Sequence, residues 1–155
     1  MDQTEIRPAT ASDVSAIENV VEDAYAHYIN RLGRKPAPMT DDYIKHIEAG
    51  EVWVLTTGEG VASLIVLRTE SDHLLVVNVA VGKAYQGHGF GKGLLNHAEA
   101  YARQKELDEL RLYTNRLMHE NLAIYPKLGW EEYKRADQDG FRRVFMRKIL
   151  PQATA

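Results

Sequence analysis

The chain has 155 residues, of which 45% are hydrophobic and 26% charged, and this is the size and make-up of one globular domain. Its formal net charge of -3 at pH 7 offers no general attraction to nucleic acid or to anionic membranes. Because the sequence contains no cysteine, disulfides, thiolate nucleophiles and cysteine-ligated metal sites are excluded.

The residue pattern predicts strands and helices in the order β, α, α, β, β, β, α, β, α, β, β. Capping residues and apolar residues three and four apart indicate the helices, and runs rich in valine, leucine and threonine indicate the strands. Taken along the chain, the predicted elements are a strand at 4–7, helices at 11–28 and 41–49, strands at 51–57, 61–68 and 73–81, a helix at 92–105, a strand at 109–114, a helix at 119–128, and strands at 130–135 and 141–149.

Three features of this pattern concern the arrangement of the elements. Residues 33–38 contain two prolines and predict an exposed loop. The run at 73–81 is dense in valine and leucine rather than strictly alternating, which is typical of a strand in the middle of a sheet. No repeat or long linker divides the chain, so we expect a single domain over residues 1–155, with its core at about 4–150 and a frayed tail from Pro151 onward.

A glycine-rich turn lies between the apolar strand at 73–81 and the helix at 92–105. Residues 84–95 read Ala-Tyr-Gln-Gly-His-Gly-Phe-Gly-Lys-Gly-Leu-Leu, with glycine at every second position from 87 to 93. Glycines permit positive φ and close approach of a ligand, and the start of the helix offers unpaired amide hydrogens with partial positive charge. These features together bind a phosphate or diphosphate, and nearby lysines add charge at the rim.

Two phosphate-binding motifs of nucleotide-binding proteins fit the residues of this turn poorly. A Walker A loop needs a glycine at position 86 and Ser or Thr at position 93, where the chain has Gln86 and Gly93. In a Rossmann fingerprint that starts at Gly87, the third glycine falls on Lys92, and the turn does not open the first βαβ unit. A simple connector needs fewer glycines. Nucleotide binding through the turn stays as an alternative to be tested.

The pattern Gln86-x-x-Gly89-x-Gly91 resembles the acyl-CoA-binding signature of the GNAT acetyltransferases, Arg or Gln-x-x-Gly-x-Gly or Ala. In that superfamily the signature follows the fourth strand and begins the third helix, as it does here, and the strand ends in a Val-Ala-Val stretch like residues 79–81. Residues 125–130, Tyr-Pro-Lys-Leu-Gly-Trp, are similar to the later Tyr-x-Lys-Leu-Gly-Phe segment of the superfamily. The resemblance covers nearly the whole chain.

The resemblance implies an α/β (mixed α+β) fold of the GNAT acyl-CoA N-acyltransferase type, with a central mixed, mainly antiparallel sheet of about seven strands flanked by about four helices. It implies acetyl-CoA as the cofactor, with the diphosphate on main-chain amides of the turn and the pantetheine on the backbone of a bulged strand. Asn121 is expected at the pantetheine, although the superfamily often has Asn at the position of Met118. The cofactor-binding residues implied in this way are Val79, Ala80, Val81, Gln86, Gly87, His88, Gly89, Phe90, Gly91, Lys92 and Asn121.

For the chemistry, the resemblance implies direct attack of an amine on the thioester and makes Tyr125 the general acid for the leaving thiolate. Since a phenol of pKa ~10 is a weaker acid than a thiol of pKa ~8.5, Tyr125 should mainly donate a hydrogen bond. The alternative is that Tyr125 only packs on the sheet. No motif identifies the general base. Its candidates are His73, Glu22, Glu51, His119, and a water relayed to the backbone or to Asn78.

The acceptor is expected to be a primary amine of a small molecule or a protein. Tyr25, Tyr28, Asp41, Asp42 and Tyr43 lie in a region that resembles the variable acceptor-binding region of GNAT proteins, where carboxylates attract an ammonium group. No metal, nucleic acid or membrane is expected to take part, and a homodimer is the commonest assembly. Lacking a signal peptide and an apolar span of ~20 residues, the protein is expected in the cytoplasm. The alternative function is a non-catalytic acyl-CoA-binding or sensor module of the same fold.

Overall fold

The computed structural model describes residues 3–151. The tail expected from Pro151 onward therefore lies outside the described residues, except for Pro151 itself, which is exposed and belongs to no helix or strand. Within that range the strands are β1 (Glu5–Pro8), β2 (Val52–Thr57), β3 (Gly60–Thr69), β4 (Leu74–Val81), β5 (Glu109–Asn115), β6 (Glu131–Gln138) and β7 (Phe141–Ile149). The helices are α1 (Val14–Tyr25), α2 (Tyr28–Leu32), α3 (Tyr43–Glu48), α4 (Phe90–Gln104) and α5 (His119–Lys127).

The strands follow the order β1-β2-β3-β4-β5-β7-β6 in one seven-stranded sheet. β4 runs parallel to β5, whereas the β1–β2, β2–β3, β5–β7 and β6–β7 pairs are antiparallel. The sheet is therefore mixed and mainly antiparallel, and β4 is its central strand. Both features confirm the expectation from the sequence.

The chain divides into two compact units. The first contains the residues up to Leu67 together with Asn78–His97, and the second contains Arg68–Val77 together with the residues from Ala98 onward. Strand β4 and helix α4 each contribute to both units.

The first unit has its own apolar core. Ile17 of α1, Val54 of β2 and Leu64 of β3 are fully buried, as the three- and four-residue spacing of α1 and the apolar runs of β2 and β3 predict. Burial of an aliphatic side chain of this size stabilises the fold by about 1.5–3 kcal/mol. α1 is preceded by a single 3-10 turn, at which the Asp13 carboxylate accepts the Thr10 amide hydrogen at 2.8 Å, as the capping pattern predicts.

The second unit is built around the parallel β4–β5 ladder and the β6–β7 hairpin. Leu74 and Val76 of β4 lie opposite Leu110 and Leu112 of β5, and all four side chains are buried. The hairpin turns at Asp139–Gly140, where both residues have positive φ. This is the type of short turn that matches the twist of the strands.

The structure differs from the sequence prediction in the first fifty residues. The single helix predicted up to Tyr28 is divided into α1 and α2, separated by Ala26–His27, which keep right-handed helical angles. The loop predicted to be exposed at 33–38 is only partly so, because Pro36 is buried and residues 37–40 form a 3-10 turn. α3 starts at Tyr43, since the side chain of Asp42 caps it by accepting the Lys45 amide hydrogen at 3.2 Å.

Candidate cofactor and acceptor sites

The glycine-rich turn leaves its main chain open to a ligand. Gly87 has a φ of 84° and Gly89 a φ of 80°, values that L side chains rarely adopt. A Cβ added at either position would meet no atom within 4 Å, and residues 86–89 are exposed. The glycines therefore serve the backbone conformation and its exposure rather than close packing within the protein.

The amide hydrogens of the turn carry the main geometric argument for an anion site. The first amide of α4 that is paired within the chain is that of Gly93, which donates to the Gly89 carbonyl at 2.9 Å. Within residues 3–151, five backbone N–H groups of the turn have no acceptor in the protein. They belong to Gly87, Gly89, Phe90, Gly91 and Lys92. A helix N-terminus with open amides of this kind fits a phosphate or diphosphate.

The side chains of the turn are arranged around these amides. Gln86 donates its Nε2 hydrogen to the Val81 carbonyl at 3.2 Å, so this side chain ties the turn to the end of β4. The ring of Phe90 stacks on that of Tyr85 at 5.8 Å. A Cβ at Gly91 would lie 3.6 Å from a methyl group of Val81, an ordinary contact that leaves room for Gly or Ala, the two residues of the signature.

Charged groups lie at the rim of the turn. Lys83 and Lys92 are exposed, while His88 holds its Nδ1 at 3.0 Å from the Tyr85 carbonyl. Because a carbonyl only accepts, this contact makes Nδ1 a protonated nitrogen that donates within the turn. The lysines therefore supply the dependable positive charge beside the open amides.

The strand that leads into the turn continues beyond its ladder with β5. The parallel ladder with β5 covers only Leu74–Val76, although β4 continues to Val81. Val79 and Val81 are half-buried, and Ala80 is buried on the other face. The carbonyl of Val79 accepts a hydrogen bond from the Tyr25 hydroxyl at 2.9 Å. The end of β4 thus lies beyond that ladder, at the residues expected to pair with pantetheine.

A cavity of about 260 Å³ lies in the first unit, between α1 and the segment that precedes α3. The polar residues of its lining are Glu18, Glu22, Lys35, Asp41 and Tyr43. Three acidic residues against one lysine favour a cationic ligand, and one of them, Asp41, is also bound by His46 at 2.9 Å. Of the acceptor-region residues expected from the sequence, Asp41 and Tyr43 line this cavity.

The other three residues of the expected acceptor region are not among the residues that line the cavity. Tyr28 is buried, with its ring 4.0 Å from that of His27. Asp42 caps α3. Tyr25 bonds to Asn78 and Val79 of β4, a link between distant parts of the sequence that no local pattern could have revealed.

Tyr125 and Asn121 lie on α5 in the second unit. Tyr125 is half-buried, with its ring edge against Trp130 at 5.7 Å, and within residues 3–151 its hydroxyl has no hydrogen-bond partner. Burial raises the pKa of the Tyr125 phenol to about 12. Asn121 donates from Nδ2 to the Thr114 hydroxyl at 3.0 Å, so one end of its amide is engaged within the protein. The roles of both residues stay predictions.

The candidate bases differ in how far they are engaged. Glu51 contacts His46, with 2.8 Å between Glu51 Oε1 and His46 Nδ1. His73 contacts Asp72, with 2.7 Å between His73 Nδ1 and the Asp72 carboxylate. His119 is exposed at the start of α5. Glu22 lines the cavity and is therefore the candidate that the structure brings to the acceptor region.

Comparison with known proteins decides the family. Residues 48–132 match the description "Acetyltransferase (GNAT) domain", which is more than half of the chain and includes the strand, the turn and α5. The chain belongs to the GNAT acetyltransferase family. This confirms the sequence resemblance, and membership of the GNAT family confirms acetyl-CoA as the cofactor.

The sequence of this GNAT protein is 29% identical over 114 residues to the uncharacterized N-acetyltransferase YvbK of Bacillus subtilis (strain 168), a match that covers 73% of each chain. Its fold is similar to that of the ribosomal-protein-S18-alanine N-acetyltransferase from Escherichia coli, with a TM-score of 0.77, 19% identity and coverage of 98% and 97% of the two chains.

A second solved structure with this GNAT fold is the PaiA N-acetyltransferase from Thermoplasma acidophilum in complex with coenzyme A. Its TM-score is 0.73 at 20% identity, with coverage of 95% of this chain and 99% of that one. In the part of the GNAT chain described by the structure, none of the helices has the length and apolar character needed to cross a membrane.

Proposed function

We propose that this protein transfers the acetyl group of acetyl-CoA to a primary amine by direct attack, with the cofactor's diphosphate bound at the glycine-rich turn. The observation that carries the proposal is the set of five unpaired amide hydrogens in residues 87–92. Hydrogen bonds from amides to an ionised group each contribute about 1.5–3 kcal/mol, and the helix dipole adds to them. Gln86 and the stacked rings of Tyr85 and Phe90 hold the turn in this form.

The pantetheine arm follows the end of β4 in this proposal. Val79 and Val81 lie beyond the ladder that β4 makes with β5, so their backbone can pair with the amides of pantetheine and with the thioester. Asn121 retains a free acceptor oxygen, because only its Nδ2 is bonded within the described chain. In this proposal Asn121 accepts a hydrogen bond from the pantetheine arm.

In the transfer, the amine nitrogen forms a bond to the acetyl carbon, the carbon–sulfur bond breaks, and the electron pair leaves on the CoA thiolate. Tyr125 donates a hydrogen bond to that thiolate. With a pKa of about 12, its phenol is about 3.5 units weaker as an acid than a thiol of pKa ~8.5. Tyr125 therefore stabilises the developing negative charge, and any proton it gives is transferred late and replaced from solvent.

The amine approaches through the acidic cavity of the first unit. An alkyl amine of pKa ~10.4 is almost entirely protonated at pH 7, so the carboxylates of Glu18, Glu22 and Asp41 attract it as a cation. Attack requires the neutral amine, and Glu22, which is exposed and lines the cavity, takes the proton directly or through water. Both a small amine and the amine of a protein chain suit this open arrangement.

The proposal is tested by incubating the protein with acetyl-CoA and a panel of amines, including polyamines, amino acids and peptides with free N-termini. Release of free CoA together with a mass increase of one acetyl group on an amine supports it. Calorimetry with CoA and with ATP is run in parallel. Binding of CoA without any acetylated product would favour a sensor module, and equal affinity for ATP would contradict the assignment of the turn.

A further inference from the structure

A buried asparagine joins the cofactor strand to the wall of the acidic cavity. Asn78 lies on β4 with 5% of its surface exposed. Its Oδ1 accepts the Tyr25 hydroxyl hydrogen at 2.7 Å, and its Nδ2 donates to the Tyr43 hydroxyl at 3.0 Å. The Tyr43 hydroxyl in turn donates to the Pro38 carbonyl at 2.6 Å. We name Tyr25, Asn78, Tyr43 and the Pro38 carbonyl the Asn78 network.

The direction of the two hydrogen bonds at Tyr43 is fixed by chemistry. A tyrosine hydroxyl has one hydrogen, and that of Tyr43 is used by the Pro38 carbonyl, which can only accept. Tyr43 must therefore receive a hydrogen from its other neighbour, and only the NH2 end of the Asn78 amide can give one. The network needs a neutral group that both donates and accepts at position 78.

The network connects the two halves of the proposed reaction. On one side the Tyr25 hydroxyl also reaches the Val79 carbonyl at 2.9 Å, on the strand that is proposed to bind pantetheine. On the other side Tyr43 is 3% exposed and lines the cavity together with Asp41. Burial and the Asp41 carboxylate raise the pKa of Tyr43 beyond the ordinary range of a phenol, so its hydroxyl stays protonated.

We propose that Asn78 is a positioning residue for the acceptor: its amide, acting through the Tyr43 hydroxyl, holds segment 37–43 at a fixed place relative to β4. This inference rests on the proposed function, because the strand and the segment are those assigned to cofactor and amine. Loss of the amide frees the cavity wall while leaving the glycine-rich turn intact. The amine is then bound less tightly, whereas the affinity for the cofactor does not change.

An activity-independent experiment tests the structural half of the inference. In Asn78→Ala and in Tyr43→Phe, hydrogen–deuterium exchange of peptides that cover residues 37–43 should accelerate by about tenfold or more, the effect of losing a buried hydrogen bond. Peptides covering residues 83–92 should keep their rates. Unchanged exchange at 37–43 in folded variants overturns the inference, whether or not any amine is acetylated.

Steady-state kinetics test the functional half. Asn78→Ala should raise the KM for the amine about tenfold or more, with kcat changed by less and the Kd for CoA within about twofold. Tyr133→Phe is the control, since it removes a hydroxyl from a tyrosine on β6 that is 37% exposed. A rise in the Kd for CoA instead of the KM for the amine would contradict the positioning role.

The variant Asn78→Asp adds a readout that general destabilisation does not produce. A neutral carboxyl group has a hydrogen to donate and an oxygen to accept, as the amide has, whereas the ionised carboxylate cannot donate to Tyr43. The carboxylates of Asp41 and Glu18 act on Tyr43, the hydrogen-bond partner of Asn78. Together with the burial of position 78, they keep the new carboxyl neutral to a higher pH.

The ratio of kcat/KM in Asn78→Asp to that in the wild type should therefore rise as the pH falls through the pKa of the new carboxyl. The same ratio for Asn78→Ala should stay flat over that range. A flat ratio in Asn78→Asp, or equal slopes in both variants, overturns the proposal. Failure of the wild type to acetylate any amine would overturn the proposed function, while the exchange experiment still decides the place of Asn78.

Discussion

At Gly89 the requirement for glycine is conformational and not steric. Its φ is 80°, and nothing lies within 4 Å of the place where a Cβ would stand. Gly89→Glu keeps room for its side chain but places a carboxylate beside the amides that bind the diphosphate. We predict that its Kd for CoA rises by at least about 100-fold, because like charges repel and the anion site is obstructed. Isothermal titration calorimetry on the folded variant measures the change.

Gly50→Glu is the matched control for that experiment. Gly50 has a φ of 73°, also without any atom within 4 Å of an added Cβ, and it follows α3 rather than the turn. It therefore suffers the same backbone strain and gains the same charge. Equal weakening of CoA binding in both variants would attribute the effect to strain or net charge and would contradict the diphosphate site.

Tyr125 offers a hydroxyl that nothing in residues 3–151 engages. Tyr125→Phe removes this donor and leaves the ring contact with Trp130. We predict a decrease in kcat of about 10- to 100-fold, the value of one hydrogen bond to a charged leaving group, with the Kd for CoA nearly unchanged. A kcat equal to that of the wild type would contradict the catalytic role and show that Tyr125 only packs against its neighbours.

The pH profile adds a second check on Tyr125. Because burial raises its pKa to about 12, the phenol keeps its hydrogen at every pH at which the protein is assayed. The activity of the wild type should therefore show no decline near pH 10 that is absent from Tyr125→Phe. Such a decline would mean that the phenol ionises as if it were exposed to water.

At the scale of elements, α3 is tied to the start of β2 through a histidine between two carboxylates. His46 is buried, with Nδ1 at 2.8 Å from Glu51 and Nε2 at 2.9 Å from Asp41. Burial lowers the pKa of His46, but the hydrogen bonds and charges of the two carboxylates outweigh it, and the pKa is raised overall. The doubly protonated ring is the form that can donate to both neighbours.

The stability of this contact should depend on pH. Since the folded pKa of His46 lies above the unfolded value of about 6.5, its contribution is complete below about pH 6.5 and is lost as the pH rises through the folded pKa. We predict that the Tm of the wild type exceeds that of His46→Gln by more at pH 5.5 than at pH 8.5. His119→Gln, which removes an exposed histidine at the start of α5, is the control for the loss of one histidine. If the difference in Tm between the wild type and His46→Gln grew with pH, the assignment of a protonated His46 would be contradicted.

The elements also show how far the sequence determines the result. The central place of β4, the position of the glycine-rich turn and the β6–β7 hairpin follow from local patterns of glycine and apolar residues, and the sequence predicts them. The bonds of Tyr25 and Tyr43 to Asn78 join residues 53 and 35 positions apart, and no periodicity encodes such a meeting. Likewise Pro36 is buried because of tertiary packing, which overrides the general preference of prolines for exposed loops.

At the scale of the whole molecule, we propose that the two compact units unfold together as a single domain. Their boundary divides β4 after Val77 and α4 after His97. The part of α4 that belongs to the first unit, residues 90–97, is shorter than the ~12–15 residues at which an isolated helix is even marginally stable. Each unit therefore depends on an element that it shares with the other.

The chain provides a reporter for each unit, because Trp53 lies in the first and Trp130 in the second, and both are buried. Trp130→Phe leaves Trp53 as the only fluorophore of its kind, and Trp53→Phe leaves Trp130. In each variant we predict that the urea midpoint from tryptophan emission coincides with that from far-UV circular dichroism, as two-state unfolding requires. Since each substitution lowers stability, the comparison is made between the two probes within one variant. If Trp53 reported a midpoint apart from the circular dichroism transition, the units would unfold separately and the single-domain proposal would fail.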